Sequence, residues 1–94
     1  MTWVELTYGR VVNLDNVKYI DTFETGKGKT IIRFVFGENG EFLECVDDYV
    51  DTDYDVAREI VRKIVRLSEL GRVFVSVKEA VRHVKKFAKG GGDE

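Results

Sequence analysis

The sequence predicts an α+β domain in which an antiparallel meander sheet packs against two C-terminal helices. Two patterns support this prediction. Apolar residues alternate with polar ones through residues 3–47, with glycine-containing turns between the runs. Apolar residues then recur at helical spacing in residues 53–70 and in residues 77–89. We therefore expect one domain over residues 1–89 and a disordered tail over residues 90–94.

Extended runs fill the first half of the chain. Residues 3–7 can pair with residues 11–14 across a turn at Gly9, and residues 17–24 follow. Residues 30–36, TIIRFVF, are the strongest strand signal, and residues 41–47 return antiparallel after the turn GENG. Residues 73–75 are either a further edge strand or a buried linker. We expect a sheet of four strands, with five as the alternative.

The last two strands carry apolar residues on both faces, unlike a sheet with one solvated face. We expect the helices to cover one face. Helix 2, a long side chain or another subunit would cover part of the second. The aromatic residues of the sheet are expected mainly in the core, namely Trp3, Tyr19, Phe34 and Phe36.

Both helices have recognisable ends. Thr52 or Asp53 is the expected N-cap of helix 1, and Gly71 is its expected stop. Ser76 and Glu79 form a capping box, so helix 2 should run from residue 77 to about residue 89. The inward residues of helix 1 are predicted to be Val56, Ala57, Ile60, Val61, Ile64, Val65 and Leu67. Those of helix 2 are predicted to be Val77, Ala80, Val81, Val84, Phe87 and Ala88.

Cysteine usage and charge limit the classes of protein. Cys45 is the single cysteine, so no intrachain disulfide forms and we expect a reducing, cytoplasmic location. No signal peptide or membrane-spanning run is recognisable. The chain has no proline, no glutamine, one methionine and one cysteine, so thermolabile residues are few, and 34% of it is charged. That inventory is typical of thermophile proteins, with chance in a short chain as the equal alternative.

Candidate catalytic and metal motifs fail on inspection. The loop GKGK at 26–29 lacks the helix that a phosphate-binding loop requires, and a hairpin explains it better. The acids of DTDYD at 51–55 lack the glycine and glutamate of a calcium loop, so capping explains them. Cys45 is expected to be a small buried residue, and His83 to lie on a polar helix face. We therefore expect no enzyme, no cofactor and no metal.

Charge is divided between the halves of the chain. Residues 1–55 carry a net charge of −7, and residues 56–89 carry +7. Basic residues repeat on one side of each helix, where acids of this chain or a partner, the dipole of helix 2, phosphates or plain solvent could balance them. The candidate nucleic-acid-binding residues are Arg58, Arg62, Arg66, Lys78, Arg82, Lys85, Lys86 and Lys89.

The segment GRVVNLDNVKYI, followed by TIIRFVFGENGEF and then helix 1, resembles the FlbD-like small flagellar proteins over residues 9–66. The resemblance implies a noncatalytic accessory or regulatory module and transfers no functional residue. The leading expectation is a small interaction module that self-associates, as a homodimer or with a protein partner. Its acidic and basic halves would supply complementary surfaces. The alternative is a small nucleic-acid-binding regulator that uses the basic face of the two helices.

Overall fold

The computed structural model describes residues 1–26, 28–37 and 44–92 of the chain, with the surroundings of side chains described as far as residue 86. The predicted turn at 38–40 and the start of the following strand at 41–43 lie outside the described residues. The elements in chain order are β1 (Trp3–Glu5), β2 (Val11–Asn13), a 3-10 turn (Leu14–Asn16), β3 (Val17–Glu24), β4 (Thr30–Phe36), β5 (Glu44–Val50), α1 (Tyr54–Glu69), β6 (Phe74–Ser76) and α2 (Val77–Gly92).

The α+β class is confirmed, but the single meander of four or five strands is wrong. The strands form two three-stranded sheets, ordered β2–β1–β6 and β3–β4–β5. The 3-10 turn separates β2 from β3, and the Leu14 amide donates to the Thr2 carbonyl oxygen at 2.8 Å. Residues 73–75 do supply a strand, β6, but it pairs in parallel with β1 and does not extend the meander.

The core lies between the inner sheet faces and the two helices. Phe34 and Ile32 of β4 are fully buried, as are Ile60 and Ile64 of α1, which packs against β3, β4 and β6. α2 packs beside α1 and against β6. The inner residues of β1 complete this core from the smaller sheet. Burying such large aliphatic and aromatic side chains contributes about 1.5–3 kcal/mol each.

The ends of α1 fix how the chain enters and leaves it. Asp53 is the N-cap, because its carboxylate accepts the Val56 amide at 2.9 Å. At the other end Gly71 has φ +86°, and the Arg72 amide donates to the Leu67 carbonyl oxygen at 3.0 Å. This Schellman arrangement turns the chain directly into β6. The predicted stop at Gly71 is confirmed.

The capping box of α2 is observed in part, since the Glu79 amide donates to the Ser76 hydroxyl oxygen at 3.3 Å. The helix begins at Val77 as predicted, and its helical backbone continues to Gly92. Residues 93 and 94, like the side chains of Phe87 and Ala88, lie outside the described part. The disordered tail over residues 90–94 stays a prediction.

Candidate interaction surfaces

The outer face of the β3–β4–β5 sheet is ordered in rows that run across the three strands. Cross-strand pairing places Phe23, Ile31 and Tyr49 in one row, with the rings of Phe23 and Tyr49 41% and 62% exposed. The next row is Asp21, Arg33 and Asp47. The face therefore combines exposed aromatic rings with a charged row that holds one acid more than it holds bases.

Arg33 contacts both an acid and an aromatic ring of this face. Its Nε and Nη2 donate to the two carboxylate oxygens of Asp47 at 2.7 and 2.9 Å, and its guanidinium lies 4.9 Å from the centre of the Phe23 ring. The Arg33 hydrogen bonds lower the pKa of Asp47 and raise that of Arg33. A long side chain, one of the three coverings expected for this face, is thus observed, and covering by another subunit stays a prediction.

Three side chains expected in the core are exposed. Tyr19 lies on the outer face of β3 and Trp3 on the smaller sheet, 48% and 38% exposed, and Cys45 is exposed on β5. Because strands here are short and apolar on both sides, alternation alone does not identify the buried face. Phe34 is buried as predicted, and Phe36 is half-buried.

A groove of about 440 Å³, here named the α2–β5 groove, runs between α2 and the end of β5. Its basic side chains are Lys78, Arg82 and Lys85, all exposed. The Lys85 ammonium donates to the Asp51 carbonyl oxygen at 3.0 Å, while the Asp51 carboxylate lies 3.7 Å from Lys29. Thr7, Tyr49, Val50 and Val81 complete the lining.

The wall of this groove at Thr7 is held by Asp48, a buried acid that the sequence did not single out. The Asp48 carboxylate accepts hydrogen bonds from the Thr7 amide at 2.9 Å and from the Thr7 hydroxyl. Asp48 has no exposed surface. Its two bonds join the turn between β1 and β2 to β5, so Asp48 links the connection within the smaller sheet to the larger sheet.

A second groove of about 380 Å³, here named the α1–β3 groove, lies between α1 and the edge strand β3. Its apolar lining consists of Leu14, Val17, Ile20, Val61 and Val65, with Lys18, Tyr19, Ser68 and Glu69 at its margins. Val65 was predicted to point inward but is 40% exposed. It lies at the margin of the apolar stripe of α1 and faces the groove, not the core.

The structure divides the predicted basic residues between two flanks of the helix pair. The cleft where the helices meet separates these flanks and is lined by two other residues, Lys63 of α1 and His83 of α2. The row Arg58, Arg62 and Arg66 is exposed on α1 and lines none of the described grooves of α2. On α2, Lys78, Arg82 and Lys85 face β5, and Lys86 lies with Arg82 on the outer surface. The side chain of Lys89 lies outside the described part.

The described residues contain no group of three or more histidine, cysteine, aspartate or glutamate side chains placed to hold a metal ion. Cys45 and His83 line no common groove among those described. Gly26, Gly28 and Lys29 lie between β3 and β4, which pair antiparallel as a hairpin requires, with φ +79° at Gly26 and the Thr25 amide donating to the Lys29 carbonyl oxygen; Lys27 lies outside the described residues.

Within the described helices, none combines the length and apolar character that crossing a membrane requires. Comparison of the chain with models of protein families, with curated proteins and with solved structures finds no match. The resemblance to FlbD-like proteins stays a prediction.

Proposed function

We propose that the chain is a noncatalytic interaction module that self-associates, with the α2–β5 groove of one copy receiving the outer sheet face of another. The position of Tyr49 carries the proposal. Its ring lines the groove and also belongs to the outer face of β5. The surface around Tyr49 is therefore basic on one side, where α2 lies, and acidic on the other.

Such a surface is self-complementary about a two-fold axis beside Tyr49. The groove holds three cations against the single acid Asp51, and the outer row holds two acids against Arg33. A two-fold contact sets the cation excess of each copy against the acid excess of the other, and it closes at a dimer. Tyrosine and arginine at the centre are residue types that dominate interface energies.

Charge reversal on α2, matched by charge reversal on α1, tests this proposal. The variant Arg82→Glu with Lys85→Glu should weaken dimerisation, and Arg62→Glu with Arg66→Glu is the control on the other helix. An exposed ion pair contributes about 0.2–1 kcal/mol, so losing four pairs across the two-fold axis costs about 2 kcal/mol, or about thirtyfold in the dissociation constant. Sedimentation velocity over a concentration series at low salt measures the dissociation constants of both variants.

The control variant should change the dissociation constant by less than about threefold, because its arginines lie outside the α2–β5 groove. Equal weakening by the two variants would mean that net charge, not the groove, governs association. Native protein that is monomeric at every concentration and salt level would rule out self-association.

The α2–β5 groove also favours a second candidate, a regulator that binds single-stranded nucleic acid. The exposed ring of Tyr49 beside Lys78, Arg82 and Lys85 is an arrangement in which bases stack on the ring and phosphates meet the cations. Fluorescence anisotropy of a labelled oligothymidylate measures binding. This candidate requires that affinity fall steeply between about 50 and about 200 mM salt. It also requires that affinity fall on changing Arg82, Lys85 and Lys86 to alanine.

A further inference from the structure

We propose that the α1–β3 groove binds an extended segment of another protein, which adds to the larger sheet as a strand beside β3. The site has the two walls that strand addition requires. One wall is β3, an eight-residue edge strand that pairs with β4 and has no second strand partner within the described residues. The other wall is α1, which presents Val61 and Val65.

The groove accounts for where the side chains of the added strand go. Alternate side chains point to opposite faces of a sheet, so every second side chain of the ligand enters the apolar space between Ile20, Val61 and Val65. The intervening side chains lie on the outer face beside Tyr19, Asp21 and Phe23. The main chain of the ligand meanwhile hydrogen-bonds to the backbone of β3.

The outer row determines the charge of the ligand. Arg33 is engaged with Asp47, and Asp21 forms no ion pair within the described residues. A lysine or arginine of the ligand opposite Asp21 supplies the missing cation. Aromatic or β-branched residues two positions away on either side pack against Tyr19 and Phe23. We thus infer a segment in which a basic residue is flanked, at alternate positions, by aromatic residues.

A second copy of β3 is a poorer ligand for this site than a basic segment. The antiparallel register that pairs Tyr19 with Phe23 of another copy also sets Asp21 against Asp21, and like charges directly opposite are destabilising. The register of β3 also shifts between Val17 and Tyr19, and such irregularities discourage edge-to-edge pairing. Both features disfavour self-pairing in this register and favour a ligand of opposite charge.

Two synthetic peptides with blocked ends, TYVKVYT and TYVEVYT, test the proposal on the full chain. Isothermal titration calorimetry at low salt should give about tenfold tighter binding of the lysine peptide. Its addition should shift the ¹H–¹⁵N cross-peaks of residues 19–24 and protect from exchange the alternate amides of this segment that do not point to β4. Asp21→Lys should reverse the preference between the peptides, which a merely structural role of Asp21 would not do.

Val65→Glu should abolish binding by placing a charge in the groove, and Leu70→Glu is the matched control because Leu70 is exposed beyond the groove. Equal binding of the two peptides, cross-peak shifts elsewhere than β3, or equal behaviour of the two glutamate variants would each overturn the proposal. So would a native dimer that Val65→Glu dissociates, since a second copy would then occupy the edge. The two grooves share no lining residue, and Asp21, which belongs to the outer face in both proposals, faces no second copy in monomeric protein, so failure of the α2–β5 contact leaves this test intact.

Discussion

Each helix borders a groove beside an edge strand of the larger sheet, and the two grooves have opposite chemistry. Aligned on their buried residues Ala57 and Val77, the helices agree at Val61 and Val81 and at Arg62 and Arg82. They differ at the next groove-lining position, where α1 has Val65 and α2 has Lys85. The two grooves therefore differ at Val65 and Lys85, and also in that Lys78 and Arg82 line the α2–β5 groove while their α1 equivalents Arg58 and Arg62 lie outside the α1–β3 groove.

The largest expected effect is on the α2–β5 side, at the buried Asp48. Asp48→Ala should lower the free energy of unfolding by about 2–3 kcal/mol, because it removes both hydrogen bonds between Thr7 and a fully buried carboxylate and leaves the half-buried Thr7 amide without its acceptor. Urea denaturation measures the change. Asp51→Ala, in the same groove but exposed, should stay within about 0.5 kcal/mol. Equal effects would mean that Asp48 does not anchor this wall.

A smaller effect is expected on the α1 side, where the chain leaves the helix. Gly71→Ala should cost about 1 kcal/mol, since a side chain is strained at φ +86°. The turn precedes β6, and the Trp3 amide donates to the Val73 carbonyl oxygen at 2.8 Å, so β1–β6 pairing should loosen as well. Thermal unfolding measures the cost, and amide exchange at residues 74–76 measures the loosening. Unchanged exchange at residues 74–76 would mean that the turn at Gly71 does not affect strand pairing in the smaller sheet.

Exchanging the side chains at positions 65 and 85 tests whether the two grooves bind independently. Lys85→Val removes two ion pairs across the two-fold axis and should weaken self-association by about 1 kcal/mol in total, roughly fivefold, while Val65→Lys should leave it unchanged. Val65→Lys should instead weaken binding of the lysine peptide. Sedimentation velocity and calorimetry separate the two effects. If either variant altered both kinds of binding alike, the grooves would not be independent.

The smallest effect is the pH dependence of the outer face between the grooves. Hydrogen bonds from Arg33 lower the pKa of Asp47 in the folded chain, so this pair stabilises the fold above the ordinary aspartate pKa. The contribution should disappear as the pH falls through the lowered value. Asp47→Asn should therefore reduce stability at neutral pH and flatten its dependence on pH below about 4. Parallel acid unfolding curves for the native chain and for Asp47→Asn would contradict this account.

Much of the local structure could be predicted from residue pattern. The bounds of β3 and β4 match the predicted runs, and the cap at Asp53, the stop at Gly71 and the start of α2 follow from local chemistry. Which strands pair with each other was harder to predict from the sequence. Three residues at Phe74–Ser76 carry no signal for a parallel neighbour some seventy residues away, so their pairing with β1 emerges only from the folded chain.

The candidate surfaces were harder to predict than the elements. Exposed Tyr19 and buried Phe34 belong to strands that both carry apolar residues on each face, and only the position of α1 decides which face is covered. The basic residues were recognisable, but their division between two flanks depends on helix packing. Tyr49 gave no signal in the sequence, because it reaches the cations of α2 only through the placement of β5.

Light scattering on the native chain at about 50 and about 500 mM salt, with and without a short oligothymidylate, tests the central claim most directly. Self-association through the α2–β5 groove predicts a dimer at low salt that dissociates at high salt and does not change mass when the oligonucleotide is added. A monomer under all conditions, or a dimer indifferent to salt, would contradict it. A salt-sensitive mass increase on adding the oligonucleotide would instead indicate that the α2–β5 groove binds nucleic acid.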